Sequence, residues 1–240
     1  AELKGKKLAV KIQYPGVADS IKSDLFLVKP IASEYALRRN DWLESNREYV
    51  DKKSGGKLAY VWIPDTAEDG YTIFNRYFFA QANKPGIVLD ERFNHGGFIA
   101  NYVISNLRRE LNGFFNNPFK QAQPMTSPGN GVWGSKVMLI NEVSGSGGDM
   151  LPYLFRYFKL GKLVGKRTWG GLVGIWGVPA FIDGGAMTAP RSGFYDLNGE
   201  WKVENEGVAP DIEVEQWTKE TIQGKDPQLD RAIQEALNEL

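Results

Sequence analysis

Strand patterns alternate with helical patterns through most of this 240-residue chain. They predict strands over residues 58–63, 86–90 and 137–140, and the last two of these are continuously apolar apart from their end residues. Continuous apolar runs are typical of strands that are buried on both faces. Because a helical pattern separates each strand from the next, the strands should lie parallel, with helices covering the sheet. The sequence therefore predicts an α/β fold with a mostly parallel central sheet.

The other elements follow from periodicity, glycine turns and helix caps. A last helix is predicted to begin at Asp226-Pro227, an N-cap residue followed by proline at the first helical position. Hairpins are predicted between residues 180 and 214, where Gly-Gly and Asn-Gly turns separate short strand patterns. Further helices are predicted over residues 69–82, 98–111 and 150–158, a short strand over 163–164, and loops over 116–130 and 168–177.

The N-terminal part has a different organisation. Strands are predicted over residues 8–12 and 25–28, the second ended by Pro30, and a long helix from Ser33 to residue 53. The predicted organisation is an N-terminal hairpin (1–30), a connecting helix (31–56) and a main domain (57–240).

Composition excludes several classes of function. The 29 Lys and Arg residues balance the 29 Asp and Glu residues, which argues against a role on nucleic acid or membrane surfaces. There is no cysteine and one histidine, His95, so the chain alone cannot form a cysteine nucleophile or a histidine-rich metal site. We expect no cofactor and no metal. No apolar run could span a bilayer and no signal peptide is visible, so we expect a cytoplasmic protein.

Residues 141–149 carry the strongest functional signal, because they place serines and glycines between a buried strand and a helix. Glycine permits a tight turn, and the free N–H groups of a first helical turn favour a developing anion. The pattern predicts Ser146 as a nucleophile with an oxyanion donor beside it. Ser144 competes for this role but fits better as a polar turn residue. The alternative for Ser146 is an ordinary helix cap.

A second glycine turn, residues 90–97, also joins a buried strand to a helix. Taken alone, Gly96-Gly97 is typical of any strand-to-helix turn. Beside the serine turn, N–H groups at Gly96 or Gly97 could join that of Gly147 on one substrate oxygen. His95 is either a general base or an exposed loop residue, and its place on the oxygen side of the carbonyl favours the second. Glu204 either orients a base or substrate, or is an exposed turn carboxylate.

Together, seven segments resemble the tricorn-type serine peptidases, which are relatives of the C-terminal processing peptidases. The segments keep the family's order across residues 25–240, and the resemblance implies a ClpP/crotonase-like layered fold in which residues 57–240 form the catalytic domain. The segments are 28–33, 39–44, 60–65, 90–97, 141–149, 165–171 and 204–211.

The resemblance implies Ser146 as nucleophile, oxyanion donors at Gly147 and around Gly96, and Glu204 as the carboxylate of a Ser-His-Ser-Glu tetrad. In the processing peptidases a lysine is the base, but Gly171 stands at the matching position here, so the histidine-using branch fits better. The family also suggests assembly into a homo-oligomer.

In tricorn-type enzymes the tetrad histidine and a neighbouring serine lie in an N-terminal subdomain, ahead of a PDZ domain. Neither lies in these 240 residues, of which 25–30 resemble the last PDZ strand. We therefore expect a histidine-bearing subdomain as partner and little turnover by this chain alone.

Residues 7–24 resemble instead a strand and turn of the atypical kinases linked to ubiquinone biosynthesis, in which the lysine at the position of Lys11 contacts nucleotide phosphate. No downstream segment resembles a kinase catalytic loop, so phosphoryl transfer is not expected. The two resemblances meet near residues 24 and 25.

Three functions are compatible with these patterns. The first is a tricorn-type peptidase domain that hydrolyses peptides through an acyl-enzyme. The second is a non-catalytic module of the same fold that binds peptide or depends on a partner. The third is a crotonase-type acyl-CoA enzyme, because two backbone donors can equally hold a thioester enolate; it would need an acid/base carboxylate near the second glycine turn.

Overall fold

The computed structural model divides the chain into two compact units, residues 1–45 and 46–240. Side chains are described from residue 34 onward. The described residues are 2–3, 6–7, 17–116, 118–119, 124–177 and 179–240.

In the first unit, β1 (Glu2–Leu3) pairs antiparallel with β2 (Lys6–Lys7), and α1 (Val17–Ser54) begins and continues into the second unit. The strand predicted over residues 25–28 is wrong, since these residues lie inside α1, which runs through Pro30. A short apolar run does not by itself distinguish a strand from a helix, and the flanking helical pattern prevails here. The strand predicted over residues 8–12 lies outside the described residues. The predicted helix end is confirmed, because Gly55 and Gly56 follow Ser54 with φ of 60° and 81°.

The second unit contains the central sheet and its helices. The predicted buried strands and the final helix are confirmed. The helix predicted over residues 98–111 is shorter in the structure. The loops predicted over residues 116–130 and 168–177 each contain a short strand. The strands are β3 (Leu58–Trp62), β4 (Gly86–Asp90), β5 (Gly113–Phe115), β6 (Met125–Ser127), β7 (Lys136–Ile140), β8 (Lys162–Gly165), β9 (Gly174–Gly177), β10 (Thr188–Ser192) and β11 (Ile212–Glu213). The helices are α2 (Glu68–Ala80), α3 (Ala100–Leu107), α4 (Gly147–Tyr157), α5 (Thr218–Ile222) and α6 (Pro227–Asn238).

Five strands form one parallel sheet in the order β11-β8-β7-β4-β3. The predicted α/β class with a mostly parallel sheet is confirmed. Because β4 and β7 are neighbours, their carboxyl ends meet at one edge of the sheet. The two glycine turns follow these two strands, so the topology itself brings them together. Two antiparallel pairs, β5 with β6 and β9 with β10, lie outside this sheet.

Helices cover both faces of the sheet. One hydrophobic cluster combines alternate strand residues with apolar side chains of α2, α3 and α4, including Phe74, Phe78 and Phe155. On the other face, α6 packs against β3, β4, β7 and β8. Its N-cap is confirmed, since the Asp226 side chain accepts the Leu229 N–H at 2.9 Å. The result is a three-layer arrangement that fixes the sheet edge where the turns lie.

A buried ion-pair network anchors the second glycine turn to α6. The Arg92 guanidinium, 3% exposed, donates to Asp90 Oδ2 at 2.7 Å and to Asp226 Oδ2 at 2.8 Å. Arg92 thus binds the turn that follows β4 both to that strand and to the N-terminus of α6. Removing one member of such a network leaves an uncompensated buried charge.

Candidate active site

Ser146 lies at the junction of β7 and α4 with an unusual backbone conformation. Its φ is 57° and its ψ is −115°, a combination that is sterically unfavourable for a residue with a Cβ. Strained backbone of this type concentrates at functional sites. The Asp149 N–H donates to the Ser146 carbonyl oxygen at 2.9 Å. The serine side chain is partly exposed beside a cleft.

The two glycine turns are in direct contact. A Cβ built on Gly96 would lie 2.7 Å from Ser146 Cβ and 3.0 Å from its Oγ. A Cβ on Gly148 would lie 2.8 Å from the Asn94 carbonyl oxygen. The Gly145 N–H donates to that same oxygen at 3.0 Å, which ties the turns together. Glycine at these positions is therefore required by the close approach of two backbones.

The N–H groups of the turns differ in availability. The Gly96 N–H already donates to Asn94 Oδ1 at 2.9 Å, so this glycine is poorly suited as an oxyanion donor and serves instead as backbone packed against Ser146. The N–H groups of Gly97 and Gly147 have no acceptor in the described part of the chain. They lie close together, because a Cβ on Gly147 would be 2.8 Å from Gly97 N. The pair that can face one oxygen is thus Gly97 and Gly147.

Asp149 is a site residue that the sequence reasoning did not single out. Its buried carboxylate accepts the N–H groups of Ser146 at 2.7 Å, Gly170 at 2.8 Å and Gly171 at 3.1 Å. The α4 N-terminus also favours a negative charge there. A serine followed three residues later by an acidic residue at a helix start is the signal that could have found it.

Glu204 holds a segment of the cleft wall. Its Oε2 accepts the N–H groups of Leu172 and Val173, each at 2.6 Å. Both of these residues line the cleft together with Ser146. The other carboxylate oxygen, Oε1, has no hydrogen-bond partner among the described residues. Glu204 is therefore more than an exposed turn residue, because it holds two cleft-lining residues in place.

The remaining candidates lie apart from the cleft. Ser144 is fully buried, and its Oγ donates to the Glu91 carbonyl oxygen at 2.9 Å. His95 is exposed, and its backbone N–H donates to the Pro64 carbonyl oxygen at 3.1 Å. Neither residue lines the cleft. Their positions favour Ser146 over Ser144 as nucleophile and place His95 outside the cleft lining.

The cleft beside Ser146 has a volume of about 400 Å³. Its walls come from both glycine turns, from α4 and from the β9–β10 hairpin. The Phe98 and Trp176 rings, both in its lining, stack on each other with centroids 5.5 Å apart. No charged side chain lies among its described lining residues. The arrangement suits an extended segment with apolar side chains.

A buried carboxyl group lies beneath the serine turn. Glu91 is fully buried, and neither side-chain oxygen meets a hydrogen-bond partner in the described structure. Burial, with a further contribution from the carboxylates of Asp149 and Asp90, raises its pKa well above the ordinary glutamate value. Glu91 thus retains its proton under conditions in which an exposed glutamate loses it.

Among the described residues, no group of three or more histidine, aspartate or glutamate side chains is arranged to hold a metal ion. None of the described helices is long and apolar enough to cross a membrane.

Fold and site together define a class: α/β proteins with a parallel sheet in which a serine at a strand-to-helix turn packs against a neighbouring glycine turn. Residues 57–214 match the model of peptidase family S41. The chain belongs to this family.

Individual relatives agree with this assignment. The chain is 37% identical over 219 residues to the tricorn protease of Thermoplasma acidophilum, covering 91% of the chain and 20% of that protein. It is 38% identical over 221 residues to a putative tricorn-like protease C-terminal subunit of Sulfurisphaera tokodaii, covering 91% of the chain and 25% of that protein. A crystal structure of the tricorn protease superposes with a TM-score of 0.77 at 38% identity, covering 82% of this chain and 19% of that one. The chain thus spans about a fifth to a quarter of the length of these relatives.

Proposed function

We propose that this chain is a serine peptidase domain of the tricorn type that cleaves peptides through an acyl-enzyme. The observation that carries the proposal is the contact between the two glycine turns. It brings a strained Ser146 close to the N–H groups of Gly97 and Gly147, which have no acceptor among the described residues. Family membership supports the reaction class, and the tricorn relatives support the type.

In the proposed reaction, Ser146 Oγ attacks the carbonyl carbon of the scissile bond while a base takes its proton. The N–H groups of Gly97 and Gly147 stabilise the negative charge on the carbonyl oxygen. Loss of one such donor typically costs about 3–4 kcal/mol of transition-state stabilisation. The base then gives its proton to the leaving amine, and water releases the acyl group by the reverse sequence of proton transfers.

The general base in this proposal is a histidine supplied from outside the 240 residues, by a histidine-bearing subdomain. His95 is exposed and does not line the cleft, whereas a general base must lie within hydrogen-bond reach of the proton that it removes. Glu204 Oε1 has no partner among the described residues and is available to orient an incoming imidazole. Glu204 would then complete the Ser-His-Ser-Glu tetrad while its Oε2 holds the cleft wall.

The cleft lining supports unfolded or short peptides with apolar side chains as substrates. Phe98 and Trp176 offer aromatic surfaces, while Met150 and Leu172 add aliphatic ones. Burying an apolar side chain there would contribute about 25 cal/mol per Å² of surface removed from water. In a panel of peptides that differ at one position, those with leucine or phenylalanine should bind more tightly than those with aspartate or lysine.

A fluorophosphonate probe tests the assignment of the nucleophile. The probe should label wild type and Ser144→Ala, whereas Ser146→Ala should remain unlabelled. Labelling should be slow in the chain alone and should become fast when a histidine-bearing subdomain is added. Rapid labelling of Ser146 by the isolated chain would show that the base lies within these 240 residues.

A second candidate is a non-catalytic peptide-binding module of the same fold. It is favoured by the one observation that the sole histidine does not line the cleft. Peptide would then bind in the cleft, but the added subdomain would produce no hydrolysis. Peptide turnover in the reconstituted mixture, compared with Ser146→Ala, separates the two candidates.

A further inference from the structure

Thr66 lies directly beneath the proposed oxyanion site, in the segment between β3 and α2. It is fully buried, and the sequence analysis gave it no role. Its backbone brackets the second glycine turn: the Thr66 N–H donates to the Gly96 carbonyl oxygen at 2.9 Å, and its own carbonyl oxygen accepts the Ile99 N–H at 2.8 Å. Gly97, which supplies one free N–H group, is thus held between these two bonds.

The Thr66 side chain contacts the residue that supplies the other free N–H group. A Cβ built on Gly147 would lie only 1.9 Å from Thr66 Oγ1. With a carbon–carbon bond of roughly 1.5 Å, the hydroxyl oxygen is at most roughly 3.4 Å from Gly147 Cα. One residue therefore contacts both oxyanion donors, Gly97 through its backbone and Gly147 through its hydroxyl.

The hydroxyl has no hydrogen-bond partner among the described residues. A buried polar group without a partner is unfavourable, and in native proteins it calls for a specific explanation. Valine would have nearly the same shape without this cost. The explanation we see is size: an oxygen tolerates a Cα–H contact of about 3.3–3.6 Å, whereas two carbon atoms prefer about 3.5–4.0 Å.

We propose that Thr66 is a positioning residue that sets the separation of the Gly97 and Gly147 N–H groups, and that its hydroxyl oxygen is needed because a methyl group in its place would push Gly147 away. The inference rests on the proposed function, since it assumes that these two donors face a substrate oxygen. Thr66 does not line the cleft, so it acts only through the two glycines.

The test compares Thr66→Val, which replaces the oxygen by a methyl group, with Thr66→Ser, which keeps the oxygen. The probe is a peptide boronic acid with an apolar side chain, and the matched control ligand is the same peptide as its amide. Ser146 Oγ adds to boron and its proton is released to solvent, which leaves an anionic tetrahedral adduct with one oxygen directed at the donors. The amide has no such oxygen, so it reports only binding in the cleft.

Thr66→Val should bind the boronic acid roughly tenfold more weakly than wild type, as expected for a misplaced donor, and should bind the amide unchanged. The affinity of Thr66→Ser for both ligands should stay within about twofold of wild type, because serine keeps the oxygen that tolerates the close contact with Gly147. Wild-type affinity of Thr66→Val for the boronic acid would overturn the inference, and so would an equal loss of boronic acid binding in Thr66→Ser.

Ser146→Ala separates the inference from the proposed function. If wild type and Ser146→Ala bind the boronic acid equally, the serine peptidase proposal itself fails. If binding depends on Ser146 but not on the Thr66 oxygen, only the role of Thr66 fails. The thermal unfolding midpoint of each variant checks that it is folded. If Thr66→Val does not fold, Thr66→Ser still tests the inference, because loss of boronic acid binding in that variant contradicts it.

Discussion

The buried Asp149 carboxylate accepts the backbone N–H of Ser146 at 2.7 Å, and thereby fixes the turn that carries the proposed nucleophile. The same carboxylate accepts two N–H groups of the 170–171 loop. One side chain therefore joins the serine turn to a loop that is distant in sequence. Hydrogen bonds to a buried charged acceptor are among the stronger ones in proteins.

We expect Asp149→Asn to destabilise the protein by about 3 kcal/mol, because an amide group turned toward backbone N–H donors leaves at least one of them unsatisfied. The free energy of unfolding in urea measures this. Fluorophosphonate labelling of Ser146 should also fall, since the turn loses its anchor. The matched control is Asp183→Asn, at an exposed aspartate that accepts a single N–H from Gly185. Equal stability of the two variants would contradict the role given to Asp149.

The strained backbone of Ser146 makes a second prediction. Since its φ is 57°, glycine should be tolerated better than alanine at this position. Strain in such regions costs about 1–3 kcal/mol, and the entropic penalty of glycine offsets roughly 1 kcal/mol of the relief. We expect Ser146→Gly to be about 1 kcal/mol more stable than Ser146→Ala, as measured by urea denaturation.

Ser105 provides the matched control, because it is an exposed serine within α3. There the order should reverse, with alanine more stable than glycine by about 1 kcal/mol. If alanine were the more stable residue at both positions, Ser146 would not be strained in the folded protein.

Much of this architecture could be predicted from the sequence because its signals are local. The apolar runs at β4 and β7 and the Asp226-Pro227 cap each specify an element within a few residues. Parallel pairing then follows from the intervening helices, and the meeting of the two glycine turns follows from the pairing. Candidate residues at this edge of the sheet could therefore be named before the structure was known.

Other features depend on contacts between distant segments and leave no local signal. The hydrogen bonds between Glu204 and the 172–173 segment join positions 31 and 32 residues apart, on either side of the β9–β10 pair. Binding sites are commonly built from such loops. The engagement of the Gly96 N–H by Asn94 depends on a side-chain rotamer that no periodicity reveals. The strand predicted over residues 25–28 shows the opposite error, in which a local apolar run was given more weight than its helical surroundings.

The Glu204 contacts lead to a third prediction, on the dynamics of the cleft wall. In Glu204→Gln the neutral amide is a weaker acceptor than a carboxylate. The amide hydrogens of Leu172 and Val173 should then exchange roughly tenfold faster, as expected for a loss of about 1.4 kcal/mol of local stability. Hydrogen exchange followed by NMR measures this directly. Glu206→Gln, at an exposed glutamate in the same turn, should leave both rates unchanged; equal acceleration in both variants would show a general effect of charge.

Glu91 makes the last prediction, on the pH dependence of stability. Its pKa is raised in the folded chain, first by burial and then by the carboxylates of Asp149 and Asp90. Above the ordinary glutamate pKa of about 4.3, the unfolded chain releases this proton while the folded chain keeps it. The unfolded state then binds fewer protons, so stability falls as pH rises, by about 1.4 kcal/mol per pH unit until the folded pKa is reached.

Glu91→Gln removes this proton and keeps the shape of the neutral acid. The stability of the variant relative to wild type should therefore increase as the pH rises above the ordinary glutamate pKa, as followed by urea denaturation across a series of pH values. Other titrating groups contribute equally to both proteins, so the difference isolates Glu91. The same substitution at the exposed Glu142 should give a difference from wild type that does not grow in this way. Parallel pH profiles for wild type and Glu91→Gln would mean that Glu91 ionises in the folded protein, and a second negative charge would then lie beside Asp149 under the proposed nucleophile.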